Sequence, residues 1–252
     1  MHLVVCICQV PDTASVIGFA DGTIDRSRVN DVINPYDEYA LEEALRQKER
    51  LVGSTVTVFT AGPPSSGDIL RKALAMGADR AFLVSAEPRD PWQSALLLCR
   101  AILSVYPEQL PDLLFCGKQS TDFQSGQVPS MLAELLGIAS FSGALSLEAT
   151  SVGVRAEREI EGGSEFAELR YPVLISAEKG LNIPRKISIK GVMEGRKKPL
   201  EVVEGSIEEP PCVILRGIVP LERKKRCSFL TDAGELVELL RHELSLSRAG
   251  EH

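Results

Sequence analysis

The sequence predicts an α/β fold: an open, mostly parallel sheet with helices on both faces, then a hairpin, then an extended C-terminal arm ending in a helix. Three observations predict it. Short apolar runs, as in strands buried on both faces, recur through the first 137 residues. Segments with helical spacing separate them, and this alternation builds a parallel sheet. After Gly137 the pattern changes to polar–apolar alternation broken by turn residues. The expected division is an α/β domain over 1–180 and an arm over 181–252.

Leu3-Val4-Val5-Cys6-Ile7-Cys8 reads as the first strand, with Cys6 and Cys8 on one face. Asn34-Pro35-Tyr36-Asp37 is a helix start: Asn caps, Pro suits the first helical position, and Asp favours the positive end. Leu41, Ala44, Leu45 and Lys48 continue that helix, with Lys48 at its rim. The β-branched run Thr55-Val56-Thr57-Val58-Phe59-Thr60 is a second strand, stopped by Ala61-Gly62-Pro63-Pro64. Ile69, Leu70, Ala73, Leu74 and Met76 give a helix ending at Gly77. Strand Ala81-Phe82-Leu83-Val84 follows, then a helix through Ala95, Leu98, Ala101, Ile102 and Val105. Leu113-Leu114-Phe115-Cys116 is the fourth strand, and Met131, Leu132, Leu135 and Leu136 mark a helix ending at Gly137. Residues 152–160 and 166–170 form a hairpin about Glu161-Gly162-Gly163, and Tyr171-Pro172-Val173-Leu174-Ile175-Ser176 is another buried strand. From Asn182 the chain reads as loop, through Arg196-Lys197-Lys198-Pro199 and Glu208-Glu209-Pro210-Pro211. An amphipathic helix over 228–244, carrying Leu236, Val237, Leu239, Leu240 and Leu244, closes the chain.

Composition removes several functions. With 28 Lys+Arg against 35 Asp+Glu the chain carries −7, which argues against nucleic acid as its main partner. No apolar run reaches the roughly 18–20 residues of a membrane span. The first apolar run is too short for a signal sequence, so the expected setting is the cytoplasm. The six cysteines, Cys6, Cys8, Cys99, Cys116, Cys212 and Cys227, form no CxxC pair, and Cys6 and Cys8 suit small buried hydrophobes. His2, His242 and His252 are the only histidines, which argues against Ser-His-Asp, Cys-His and His-metal chemistry.

Open parallel sheets bind ligands outside the carboxyl ends of their strands. Three places qualify: Cys6 to Gln9 beside Asn34-Pro35-Tyr36-Asp37; the segment Ala61-Gly62-Pro63-Pro64-Ser65-Ser66-Gly67; and the loop Gly117-Lys118-Gln119-Ser120-Thr121-Asp122-Phe123-Gln124-Ser125-Gly126-Gln127. The last offers hydroxyls, amides, a lysine and two glycines before a helix, a setting suited to phosphate. It is neither a Walker A nor a GxGxxG motif, and a plain polar crossover loop is the competing reading.

Six fragments in order then resemble one family, the β subunits of electron-transfer flavoproteins, over essentially the full length. They are Gln9-Val10-Pro11-Asp12-Thr13; residues 34–44 from Asn34-Pro35-Tyr36-Asp37; residues 73–80 through Met76-Gly77-Ala78-Asp79; Pro111-Asp112 to Gly117-Lys118-Gln119; Val154-Arg155 to Gly162-Gly163 with Tyr171-Pro172; and Leu181-Asn182-Ile183-Pro184-Arg185. The resemblance implies a Rossmann-like, adenine-nucleotide-binding domain over 1–180 and a partner-recognition loop with C-terminal arm over 181–252. It implies nucleotide contacts at Cys6, at Asn34 through Asp37 and at Ala61, with the phosphate held by Gly117 to Ser125 and backed by Gly126, Gln127 and Val128. It implies docking through Leu181, Asn182, Pro184 and Arg185, with Leu181 as the apolar anchor. Glu159 matches a glutamate near the flavin of the companion subunit.

The implied function is the β subunit of a heterodimer that supports the FAD of an α subunit. Electrons would pass from acyl-CoA-type dehydrogenases to a quinone reductase, with no substrate turnover by this chain itself. Two departures bear on the second ligand. The usual lysine of the first motif is Cys8, and Asp122-Phe123-Gln124-Ser125 replaces the Asp-Gly-Asp-Thr of members that hold a second FAD. The loop is not the longer loop of other AMP-binding members either, so the residues leave the second ligand open between AMP and a second FAD, with AMP favoured. The alternatives are an electron-bifurcating subunit whose own FAD is reduced by NADH, and a stand-alone adenine-nucleotide sensor.

Overall fold

The computed structural model describes residues 1–20, 23–219, 227 and 229–249. By its internal contacts the chain divides into Met1–Gly217 and Ile218–His252.

β1 (His2–Cys6) buries Leu3, Val4, Val5 and Cys6, and ends before Cys8, so the two cysteines do not share a strand face. β2 (Gln9–Pro11), β3 (Gly18–Ala20), β4 (Thr23–Asp25) and β5 (Asp31–Ile33) follow, with β2 antiparallel to β5 and β3 to β4. The expected alternation then unfolds as α1 (Pro35–Arg50), β6 (Thr55–Gly62), α2 (Gly67–Met76), β7 (Arg80–Ser85), α3 (Pro91–Val105), β8 (Leu113–Gly117) and α4 (Val128–Leu136). Lys48 does sit at the rim of α1, where Nζ donates to Asp79 Oδ1 at 2.6 Å and to the Gly77 carbonyl at 3.2 Å.

Past Gly137 come β9 (Ala139–Ala144), β10 (Ser146–Ala149), β11 (Gly153–Ile160), β12 (Gly163–Arg170) and β13 (Val173–Ala177). β11 and β12 are the expected hairpin, and β10 joins them in an antiparallel three-stranded sheet. Pro172 precedes β13 and lies outside the strand. The segment after Asn182 corrects the expectation of a loop. It contains α5 (Ile189–Gly195), packed on α2, and β14 (Leu200–Glu204), which pairs parallel with β7 from Leu200↔Ala81 to Glu204↔Ser85. Close approach explains the glycines of so short a helix: a β carbon on Gly191 would lie 2.4 Å from the Ala75 carbonyl oxygen. Lys198, read as a linker charge, caps α2 by donating to the Leu74 and Ala78 carbonyls at 3.2 and 2.6 Å.

The central sheet has seven strands in the order β14-β7-β6-β1-β8-β13-β9, every pairing parallel. One face packs Leu3, Val5, Val58 and Phe115 under Leu41, Leu45 and Leu70 of α1 and α2. The other packs Val4, Phe59, Phe82 and Leu114 under Leu98, Ile102 and Leu132 of α3 and α4, with Phe59 and Phe82 stacked at 5.0 Å. This is the α/β sheet covered on both faces that the sequence implies.

In the second unit, α6 (Ala233–Ala249) is capped by Asp232, whose Oδ1 accepts from Gly234 and Glu235 N–H. Glu235 Oε2 accepts from Thr231 N–H. The helix expected over 228–244 thus starts later, after the Asp232 cap, and runs on to Ala249; Ser228 and His252 lie outside the described residues. No helix among the described residues is long and apolar enough to cross a membrane.

Candidate functional site

The strand order places a topological switch between β1 and β8. From β1 the chain winds outward to β6 and β7, then crosses back to lay β8 on the other side of β1. Loops leaving the carboxyl ends of these two strands run apart, and the crevice between them is where such sheets take ligands. Cys6 and Cys116 are paired neighbours at that point, both buried and both free thiols.

The first turn of α1 closes this crevice from one side. Asn34 was expected to cap the helix with its side chain, but only its backbone carbonyl does so, accepting from Asp37 and Glu38 N–H at 2.8 and 3.1 Å. The carboxamide turns instead to the loop after β8. Asn34 Nδ2 donates to the Gln119 carbonyl at 2.9 Å, and Oδ1 accepts from Thr121 N–H at 3.2 Å. Its own N–H donates to the Cys8 carbonyl at 3.0 Å.

Asp37 spans the crevice at a deeper level. Oδ2 accepts from Cys8 N–H at 2.7 Å and Oδ1 from Gly117 N–H at 2.8 Å, so one carboxylate joins the segments leaving β1 and β8. Glycine is required at 117: a β carbon there would lie 2.4 Å from Asp37 Oδ1 and 2.7 Å from the Tyr36 carbonyl carbon. Burial pushes Asp37 up to about 6, overcoming the hydrogen bonds from Cys8, Gly117 and Asn34 that favour its charge.

The loop after β8 turns into α4 through Gln124 and Gly126, both with left-handed backbone at φ +53° and +63°. Asp122, Phe123, Gln124, Ser125 and Gln127 are exposed along it, with Phe123 68% exposed. No side chain caps the N-terminus of α4, where Pro129 in the second position has no N–H, so Val128 and Ser130 supply its first amides. Lys118 Nζ instead donates to Glu178 Oε2 at 2.5 Å, and this bond holds the ammonium above its usual pKa. Ala61 lies inside β6 and not after it. The turn beyond is tied to the first loop: Ser66 Oγ donates to Gln9 Oε1 at 2.7 Å, and Gln9 Nε2 donates to Asp31 Oδ2 at 2.7 Å.

The three places chosen from the sequence thus lie along one edge of one sheet. The side chains of Asn34 and Asp37 turn to the protein's own backbone, so the surface offered to a ligand is loop and helix N-terminus. The roles of Gln9, Ser66 and Glu178 were missed, because each depends on a partner far away in sequence.

The 181–185 segment is braced on α1. Asn182 Nδ2 donates to the Tyr39 carbonyl and to Glu43 Oε2 at 2.9 and 3.1 Å. Arg185 forks onto Glu42 at 2.8 and 3.1 Å and reaches Glu49 at 2.7 Å. Burial pushes Glu42 up, but Arg185, helped by Arg46, outweighs it and holds the carboxyl below its usual value. Leu181 is half-buried against the core, Pro184 is half-buried, and Ile183 projects, 82% exposed. Glu159 stands exposed near the tip of the β11–β12 hairpin, on a different sheet from the crevice.

Comparison with known proteins agrees with this geometry. The family model described as "Electron transfer flavoprotein domain" matches residues 21–207. The "Electron transfer flavoprotein subunit beta" of Bacillus subtilis (strain 168) is 36% identical over 256 aligned residues, covering 96% of this chain and 98% of that protein. The "Caffeyl-CoA reductase-Etf complex subunit CarD" of Acetobacterium woodii is 35% identical, covering 80% of this chain and 78% of that protein. "Protein FixA" of Sinorhizobium fredii is 32% identical, covering 98% of this chain and 93% of that protein. With this sheet, this switch-point crevice and matches over nearly its whole length, the chain belongs to the electron transfer flavoprotein family, among its β subunits.

Proposed function

We propose that this chain holds AMP in the crevice between the ends of β1 and β8, and that with an α subunit it supports the FAD through which electrons pass from acyl-CoA-type dehydrogenases to a quinone reductase. The observation that carries the nucleotide reading is the tie of Asn34 and Asp37 to Cys8, Gly117, Gln119 and Thr121 across the switch point. Beyond this tie the exposed loop leads to the N-terminus of α4, which no side chain caps, a setting suited to a phosphate. In this reading Ser120, Thr121 and Ser125 supply hydroxyls, Gly126, Gln127 and Val128 supply the turn and helix amides, and the ribose and base lie toward Cys6, Tyr36 and Ala61. The α-subunit FAD supplies the redox chemistry when bound, while this chain orients it and carries no turnover of its own.

Residues 1–180 form the nucleotide-binding part in this reading, and 181–252 the partner-recognition part, working in the cytoplasm. The braces at Asn182 and Arg185 hold a segment that presents Leu181, Ile183 and Pro184 to a dehydrogenase, and Glu159 faces the companion flavin. The test is the nucleotide inventory of the purified heterodimer. One FAD and one AMP per heterodimer is the expected result. Two FAD would move the chain to the bifurcating class reduced by NADH, and a chain that never binds an α partner but turns over ATP would make it a stand-alone sensor.

A further inference from the structure

We propose that Asp37 is the positioning residue of the crevice: its carboxylate sets the spacing between the ends of β1 and β8, and so presents the nucleotide-binding loops, without touching the nucleotide. This deepens the nucleotide reading and rests on it for its ligand.

The bonding pattern calls for a group that only accepts. Cys8 N–H arrives at Oδ2 and Gly117 N–H at Oδ1, from opposite walls of the crevice. An ionised carboxylate meets both; an amide would set its own NH2 against one N–H, and a protonated carboxyl would turn one oxygen into a donor. Gly117 lacks the β carbon that would block this approach, so the fit is built from both sides. Both oxygens are engaged and the residue is 5% exposed. A bound nucleotide would therefore meet what Asp37 holds in place. The same helix turn also fixes Gln119 and Thr121 through Asn34, so one rigid element sets both walls.

The neighbouring groups make this charge the one that changes near neutrality. On the β1 side, the Cys8 thiol donates to Asp37 and is pushed far up by burial and then by Asp37 itself. On the β8 side, Cys116 is pushed far up by its hydrogen bond with Cys6, then by burial. Asp122, on the loop, acts on Cys8. Both thiols stay neutral across the physiological range, whereas Asp37 itself titrates at about 6. Below that pH one acceptor becomes a donor, one of the two amides is released, and the crevice loosens.

The test titrates AMP into the heterodimer from pH 8 to 5, for the native protein and for Asp37→Asn. Native affinity should fall through a midpoint near 6 by about tenfold more than that of the variant, the size expected for one lost hydrogen bond to a charged group. The ratio of native to Asp37→Asn affinity, in which the titration of the AMP phosphate cancels, should be about tenfold at pH 8 and approach one at pH 5. A variant with native affinity, or with the native pH profile, overturns the proposal. Amide exchange at Cys8 and Gly117 in the full chain needs no ligand and decides the tie separately. Both amides should be protected at pH 7.5, and at least one should lose protection as the pH falls through 6 or on Asp37→Asn. If the native protein binds no AMP at any pH, the nucleotide reading falls and the exchange data alone judge the tie. Equal protection of both amides from pH 7.5 to 5 in the native chain overturns it, even if the variant does not fold.

Discussion

Asp37 and Glu42 lie little more than one turn apart on α1, both buried, yet their surroundings drive them in opposite directions. Glu42 faces the forked guanidinium of Arg185 and is held below its usual value. Asp37 is held only by neutral dipoles, those of Cys8, Gly117 and Asn34, and burial pushes it up to about 6. One carboxylate is neutralised and braces a segment; the other keeps its charge at an energetic cost and sits at the switch point of the sheet. A shift from 3.8 to about 6 means that keeping Asp37 ionised at neutral pH costs the folded state about 3 kcal/mol. Uncompensated charge in a crevice marks a site, and compensated charge marks a brace.

Breaking the brace should have the largest effect. Arg185→Ala leaves Glu42 buried with Arg46 at 3.1 Å and the backbone N–H of residue 185 at 3.0 Å, and should cost about 2 kcal/mol in urea unfolding. That is below the usual loss for a fully buried pair because the Arg185 side chain is 31% exposed. The carboxylate of Glu42 contributes stability that is present above its ordinary pKa and lost as the pH falls through its lowered one. Unchanged unfolding of Arg185→Ala would leave the brace without energetic weight.

Asp37 carries the opposite sign. Its folded pKa is raised, so the folded state holds the extra proton between its ordinary value and 6, and stability from this group falls as the pH rises through 6. Between pH 5 and 7.5 the native protein should lose on the order of 1 kcal/mol relative to Asp37→Asn. Parallel pH curves for the two would remove the contrast with Glu42.

Asn34→Ala removes both bonds to the 119–121 backbone and should cost about 1 kcal/mol. AMP affinity, read by calorimetry, should drop about fivefold with it. The smallest change in stability is expected at the exposed tip, where Ile183→Ala should stay within about 0.5 kcal/mol of native. Its transfer rate from acyl-CoA-type dehydrogenases should fall with flavin content intact. Leu181→Ala, set against the core, should lower both stability and transfer. Native transfer by both variants would remove docking from this segment.

What was legible in the sequence follows the same division. Strands buried on both faces declare themselves: the run from Leu3, the β-branched Thr55 segment and Leu113-Leu114-Phe115-Cys116 all form the middle of the sheet. The two edges do not. β9 is Ala-Ser-Phe-Ser-Gly-Ala, small and polar, and β14 follows a basic run and a proline that read as linker. Each gains its place only from a neighbour, Val173 to Ala177 for one and Ala81 to Ser85 for the other. The carboxyl edge was readable as three loop clusters because ligand crevices follow from strand order. Side-chain roles within it were not, because Asn34 and Asp37 looked like ordinary helix-start residues. Their true partners, Thr121 and Gly117, lie 87 and 80 residues away.

The central claim, that the edge between β1 and β8 takes an adenine nucleotide, is tested most directly by the amide-exchange footprint of AMP on the heterodimer. Protection should rise at residues 34–37, 61–67 and 117–128 and stay unchanged on the β11–β12 hairpin. A footprint that misses these three segments, or none at saturating AMP, would contradict it.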